Sequence, residues 1–156
     1  MVLDVASSYE DILESVFTAP IAAKAWLATF AVALAVVQIV TAARIYGKVE
    51  GVLRGRGKVV SVVHRWSGRL AVLLTLPVVF HCVFILGFQT SDARVAAHSV
   101  LGSFIYGVVA TKVFLVRSHS YPAWVLPVAG GTLFSVLALL WATSSVWYFT
   151  EVRFGF

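Results

Sequence analysis

Four histidines, His64, His81, His98 and His119, carry the widest choice of chemistry in this chain. An imidazole can ligate a metal, move a proton or serve as a buried hydrogen-bonding group. Placement narrows the choice. His64 and His81 lie in one apolar run, His98 lies in the next and His119 at its end, just before Ser120-Tyr121-Pro122, with Phe88 to Ala93 as the turn between the runs. In an antiparallel helical hairpin, residues equally far from the turn lie at equal depth. Half-way between 81 and 98 is 89.5, and half-way between 64 and 119 is 91.5; both points fall in the turn. The histidines therefore nest as an outer pair, His81 with His98, and an inner pair, His64 with His119. Two imidazoles at matched depth on facing helices are what bis-histidine ligation of a haem iron requires, and helix bundles commonly host such sites.

Neighbouring residues suit the same chemistry. Gly68 follows His64 by four residues and Gly102 follows His98 by four. Residues four apart share a helix face, so each glycine leaves room beside a histidine for a flat macrocycle, or for the tight helix packing that small residues also permit in membranes. Haem propionates need cations. Arg94 is placed for this on the outer side, and Arg69 and Lys112, with Arg65 and Arg117, on the inner side. Ordinary snorkelling of long cationic side chains is the alternative for each, but Lys112 lies about a turn inside its apolar run and needs a partner. Phase works against a simple two-haem picture: at 100° per residue, His64 and His81 stand about 100° apart around the axis, and His98 and His119 about 60°. Supercoiling, and a bend at Pro77, reduce these offsets.

Competing chemistries fit less well. A structural zinc site asks for four converging ligands, usually with cysteines; these histidines occupy two depths and Cys82 is the one cysteine. Cys82 adjoins His81 in sequence, but adjacent helical residues do not face each other, which disfavours a nucleophile–base pair. Transport of protons or cations usually places a carboxylate in the membrane core, and the apolar runs contain none. Gln38 stands out as strongly polar in the first run and can bond a haem, a quinone or a neighbouring helix. Pro127 and Gly130-Gly131 suggest a bend or close approach in the last.

The elements that position these residues are legible in composition. Of 156 residues, 60% are hydrophobic and 12% charged, about half the charge of a soluble domain. Four apolar segments, near 21–46, 59–88, 93–116 and 123–149, each meet the roughly 20 residues that a bilayer demands. The expected fold is all-α, a single integral membrane four-helix bundle. Ser8 and Asp11 form a capping arrangement ahead of Ile12, Leu13, Val16 and Phe17, so residues 8–18 are expected as a short amphipathic surface helix. Arg44, Lys48, Arg54, Arg56, Lys58, Arg65, Arg69, Lys112 and Arg117 fall on one side of the membrane, against Lys24, Arg94 and Arg153 on the other. The positive-inside rule then puts both termini outside. Tyr121 and Trp124 inside, and Trp147 and Tyr148 outside, suit the aromatic belts. The net charge of +5 reflects topology rather than nucleic acid.

The stretch His64-Arg-Trp-Ser-Gly-Arg-Leu-Ala-Val-Leu-Leu74 resembles the first haem-ligating helix of ferric-reductase-like and related two-haem cytochrome b membrane domains, and His98-Ser-Val-Leu-Gly102 resembles the second. The likeness covers about a third of the chain. That family spaces its histidines by about four turns, whereas seventeen and twenty-one residues separate them here. The whole chain, with Trp124 to Gly131 and its Trp-rich end, is also similar to a family of small bacterial membrane proteins of unassigned function. The first resemblance implies an electron-transfer component, or the subunit of a quinol-linked oxidoreductase, in a bacterial cytoplasmic membrane. Its cofactors would be haem b, two per chain or one, and quinone, with quinol or a partner redox protein as electron source. The lipid bilayer is the surrounding partner, and a homo-oligomer is compatible with the sequence. The alternative expectation is a non-redox anchor or assembly subunit whose basic segment Lys48 to Lys58 docks a partner.

Overall fold

Pro20 sits at the first position of a helix, where the N–H it lacks would have no intrahelical partner. From there α1 runs over Pro20–Ile45. It ends in a Schellman motif: Gly47 takes a positive φ of 69°, its N–H bonds the Arg44 carbonyl at 3.1 Å, and the Lys48 N–H reaches the Ala43 carbonyl at 2.8 Å. Helix α2 covers Gly57–Phe80 and passes without a break into a π-helical turn, His81–Leu86. Pro77 lies within α2 and cannot donate to the carbonyl four residues earlier, so the normal ladder is interrupted one turn before the π geometry begins. Gly87, at φ 68°, ends the element. Helix α3, Ala93–Ser118, starts on a side-chain cap, with Asp92 Oδ1 accepting the Val95 N–H at 2.9 Å. Helix α4 is Val125–Trp141, extended by π-helical segments Ala142–Val146 and Tyr148–Arg153.

This computed structural model describes residues 7–8, 11, 20–49, 56–118 and 120–153, which contain no strand. The four expected helices are present, with shifted ends. The second stops at Leu86 rather than 88 because Gly87 turns the chain. The fourth begins at Val125 rather than 123, after a turn in which the Val125 N–H bonds the Pro122 carbonyl, and it continues past 149 to Arg153. The surface helix expected over 8–18 falls almost wholly outside the described residues, although Ser8 and Asp11 are helical and exposed. The spans Ile21–Ile45, Gly57–Leu86, Ala93–Ser118 and Val125–Val152 are long and apolar enough to cross a bilayer. Their outward faces agree: Leu73, Phe84, Phe104 and Phe114 are 59–65% exposed, an apolar surface that fits lipid and not water.

Packing follows residue size. Ala22, Ala23, Ala25, Ala31 and Ala35 of α1 are buried, and small side chains let neighbouring backbones approach closely. Ala22 and Ala25 pack with Tyr148, and Ala35 with Ile105 and Leu137. Trp141 Nε1 ties α4 to α1 by donating to Thr29 Oγ1 at 2.9 Å. Extended close backbone approach joins α1 to α2, α1 to α4, and α3 to α4. Around the bundle the order is α2, α1, α4, α3. The seam between α2 and α3 is looser, and Thr75 Oγ1 meets Tyr106 Oη across it at 2.8 Å. His64, His81 and His98 belong to the two chain segments flanking this seam.

Candidate functional site

The Thr75–Tyr106 contact fixes the register of the loose seam. Half-way between 75 and 106 is 90.5, between the two values obtained for the histidine pairs, so α2 and α3 run past each other in the register expected from the sequence. The contact lies inward of His81 and His98 and outward of His64. A hydroxyl pair therefore stands between the outer and inner histidine levels.

At the outer level, His81 begins the π-helical turn and is 5% exposed. Departures from α geometry of this kind recur at functional positions in helices. His98 is half-buried on α3, and its Nδ1 lies 2.9 Å from Thr143 Oγ1 of α4. Lys24 of α1 is within electrostatic range of His81, Cys82 and His98. Among the described residues Lys24 has no hydrogen-bond or ion-pair partner. Arg94, expected to face a propionate, is engaged elsewhere. Its Nη1 donates to the Thr143 carbonyl at 2.7 Å, its Nη2 is 3.8 Å from Asp92 Oδ2, and its guanidinium lies over the Trp147 ring at 4.4 Å. It braces the turn of α4 that carries Thr143.

At the inner level, His64 Nδ1 lies 2.8 Å from Thr41 Oγ1 of α1. Gln38 serves the neighbouring helix: its Nε2 donates to the His64 carbonyl and to Ser67 Oγ at 2.8 Å. Gly68 exists in this setting for Gln38, because a Cβ there would come within 3.0 Å of Gln38 Oε1. The space beside Gly68 is thus filled by an amide. Gly102 differs: the nearest atom to a Cβ there is Leu140 Cδ2 at 3.9 Å, an ordinary contact, so room remains beside His98. Lys112 lies within electrostatic range of His64 and has no hydrogen bond or ion pair among the described residues. Arg69 is exposed and lies over the Trp66 ring at 5.3 Å. His119 lies outside the described residues. No close approach occurs at Gly130 or Gly131, where a Cβ would meet nothing within 4 Å.

Among the described residues no three His, Cys, Asp or Glu side chains converge as a metal-ion site; a haem asks for only two axial ligands. Sequence reasoning missed Thr41, Thr143 and Lys24. The depth rule applied to the histidines would have found both threonines. Half-way between 41 and 64 is 52.5, in the first linker, and half-way between 98 and 143 is 120.5, in the third.

No curated protein and no solved structure matches the chain. The family comparison bears on the second of the two resemblances and not on the ferric-reductase-like one. A model for a family of unknown function, DUF6529, matches residues 5–156, and the chain belongs to that family.

Proposed function

We propose that this protein is a b-type haem membrane cytochrome that transfers electrons at or across the bilayer. One observation carries the reading: the two histidine-bearing helices flank the loosely packed seam of the bundle, and the Thr75–Tyr106 contact across it sets a register in which His81 and His98 stand at one level. His81 and His98 would hold the outer haem, and His64 with His119 the inner one. Lys24 at the outer level and Lys112 at the inner level are the cations placed to receive propionates, since Arg94 and Arg69 are occupied by Thr143, Trp147 and Trp66. Gly102 supplies room beside His98.

The iron supplies one-electron chemistry when the group is bound. The chain would contribute the ligands and the imidazole orientations, within a bundle whose outward faces carry exposed Leu and Phe side chains. With nine basic residues on the side of the first and third linkers, that side is cytoplasmic and both termini lie outside in the cytoplasmic membrane of a bacterium. Quinol would be a fitting donor of the electrons that haems held by these histidines would carry. A partner redox protein takes them onward.

Haem quantified per purified chain, after expression with ample haem supply, tests this reading. Roughly two haems per chain is the expected result for two bis-histidine levels. One would retain the outer pair and remove His64 and His119 as ligands. A colourless protein would sink the reading and leave the anchor or assembly subunit, docking through its exposed Lys48, Arg56 and Lys58.

A further inference from the structure

We infer that Thr41 and Thr143 are positioning residues that hold His64 and His98 in a single tautomer, with the proton on Nδ1 and the lone pair on Nε2. That Nε2 serves an iron rests on the cytochrome reading; the tautomer does not.

The argument is one of donors and acceptors. A threonine hydroxyl has one proton. Thr41 Oγ1 donates it to the Val37 carbonyl at 2.6 Å, and Thr143 Oγ1 donates to the Leu139 carbonyl at 2.8 Å. Both are the back-bonds that hydroxyl side chains make to the preceding helical turn. With its proton so placed, each oxygen meets the facing imidazole as an acceptor, at 2.8 Å for His64 Nδ1 and 2.9 Å for His98 Nδ1. A second acceptor stands beside each ring. The Gln38 carbonyl oxygen lies 3.2 Å from Thr41 Oγ1 and the Leu140 carbonyl oxygen 3.1 Å from Thr143 Oγ1, and each is near the imidazole that its threonine meets. A carbonyl cannot donate. Reversing the threonine–histidine bond would turn a ring lone pair towards a carbonyl oxygen in a medium without water, where two facing acceptors are costly. Nδ1 is therefore the donor, and a neutral imidazole has only one N–H, so Nε2 is bare.

The same device occurs twice, once near each end of the bundle, and both times the hydroxyl comes from a helix that carries no histidine. The two histidines so held are also the two followed by glycine four residues on. The outer one is braced further, because Arg94 fixes the carbonyl of Thr143 itself. A hydrogen bond from the distal imidazole nitrogen orients a metal-ligating ring and raises its basicity, and loss of such a partner typically costs 10–100-fold in metal affinity.

The test uses the full chain in lipid nanodiscs with 15N-labelled histidine, reduced so that any low-spin haem iron is diamagnetic. Nitrogen NMR should show His64 and His98 protonated at Nδ1 alone. In the haem-free chain, Thr41→Val should let the Nε2-protonated tautomer appear for His64 only, Thr143→Val for His98 only, and Thr→Ser at either position should remove it again. In parallel, Thr143→Val should weaken haem retention at the outer level about 10–100-fold and raise its midpoint potential, with Thr143→Ser again restoring both. Protonation at Nε2 of either histidine in the unmodified chain would overturn the inference, whether or not haem is present and without recourse to any variant. A protein that shows the Nδ1 protons but takes up no haem would uphold the tautomer and remove the cytochrome reading, so the two failures are distinguishable.

Discussion

Replacing His98 with alanine is expected to remove roughly one haem per chain and leave the bundle folded. The fold tolerates the change because the side-chain partner of His98 is Thr143, and hydrogen bonds between membrane helices average only about 0.6 kcal/mol. Thr143 keeps its bond to the Leu139 carbonyl and Arg94 keeps the Thr143 carbonyl, so the α3–α4 contact persists. A haem held by His81 and His98 would not tolerate it, because the change removes one of the two residues that would hold it. Haem content of the purified variant checks the loss, and an unchanged helical circular dichroism spectrum checks the fold. His98→Met sharpens the result. A thioether ligand raises a haem potential relative to imidazole, so this variant is expected to retain haem with a higher midpoint. Full haem content and an unaltered spectrum in His98→Ala would remove His98 from the ligand set.

Gly102→Leu is expected to give the same loss of the outer haem with both ligands intact. Position 102 lies on the face of His98, one turn further along α3. A Cβ there meets only Leu140 Cδ2 at 3.9 Å, an ordinary contact, so the protein itself accommodates the first atom of a side chain. Leucine is also a better helix former than glycine by roughly 0.5–1 kcal/mol. The variant should therefore be at least as resistant to thermal unfolding as the parent in a colourless preparation, yet fail to load the outer haem. Gly68 supplies the contrast, because a Cβ there would displace Gln38 from Ser67 and from the His64 carbonyl and loosen α1 from α2 with or without a cofactor. A Gly102→Leu protein that loads its full complement of haem would show that the space beside His98 is not where the macrocycle lies.

The four spans were legible in the sequence because a bilayer imposes a length and a composition on whatever crosses it, and Ile21 to Ile45 or Ala93 to Ser118 can be read as little else. The register of α2 against α3 was also legible, since position relative to the Phe88–Ala93 turn fixes depth; Thr75 and Tyr106 meet where that rule puts them. Helix ends were less so. Gly87 and the Pro122–Val125 turn shift boundaries by two residues, and π geometry over His81–Leu86 and Ala142–Val146 leaves no mark in residue type, because it depends on how the backbone accommodates its neighbours. The threonines escaped notice for another reason. A threonine in a membrane helix usually satisfies itself on the carbonyl one turn back, as Thr41 and Thr143 do, and only tertiary placement shows that its oxygen also accepts. Arg94 illustrates the converse: its charge and position suggested a propionate, while the folded chain gives it a carbonyl, a carboxylate and an indole. Gly68 and Gly102 share a sequence pattern with different surroundings, one filled by Gln38 and one open.

The central claim is that two imidazoles from facing helices share an iron. Low-temperature electron paramagnetic resonance of the oxidised protein in nanodiscs reads that ligation directly. The account predicts a low-spin ferric haem signal of bis-imidazole type, reduced in intensity in His81→Ala and in His98→Ala alike. A high-spin ferric signal in the unmodified protein, or no haem iron signal after expression with ample haem, would contradict it.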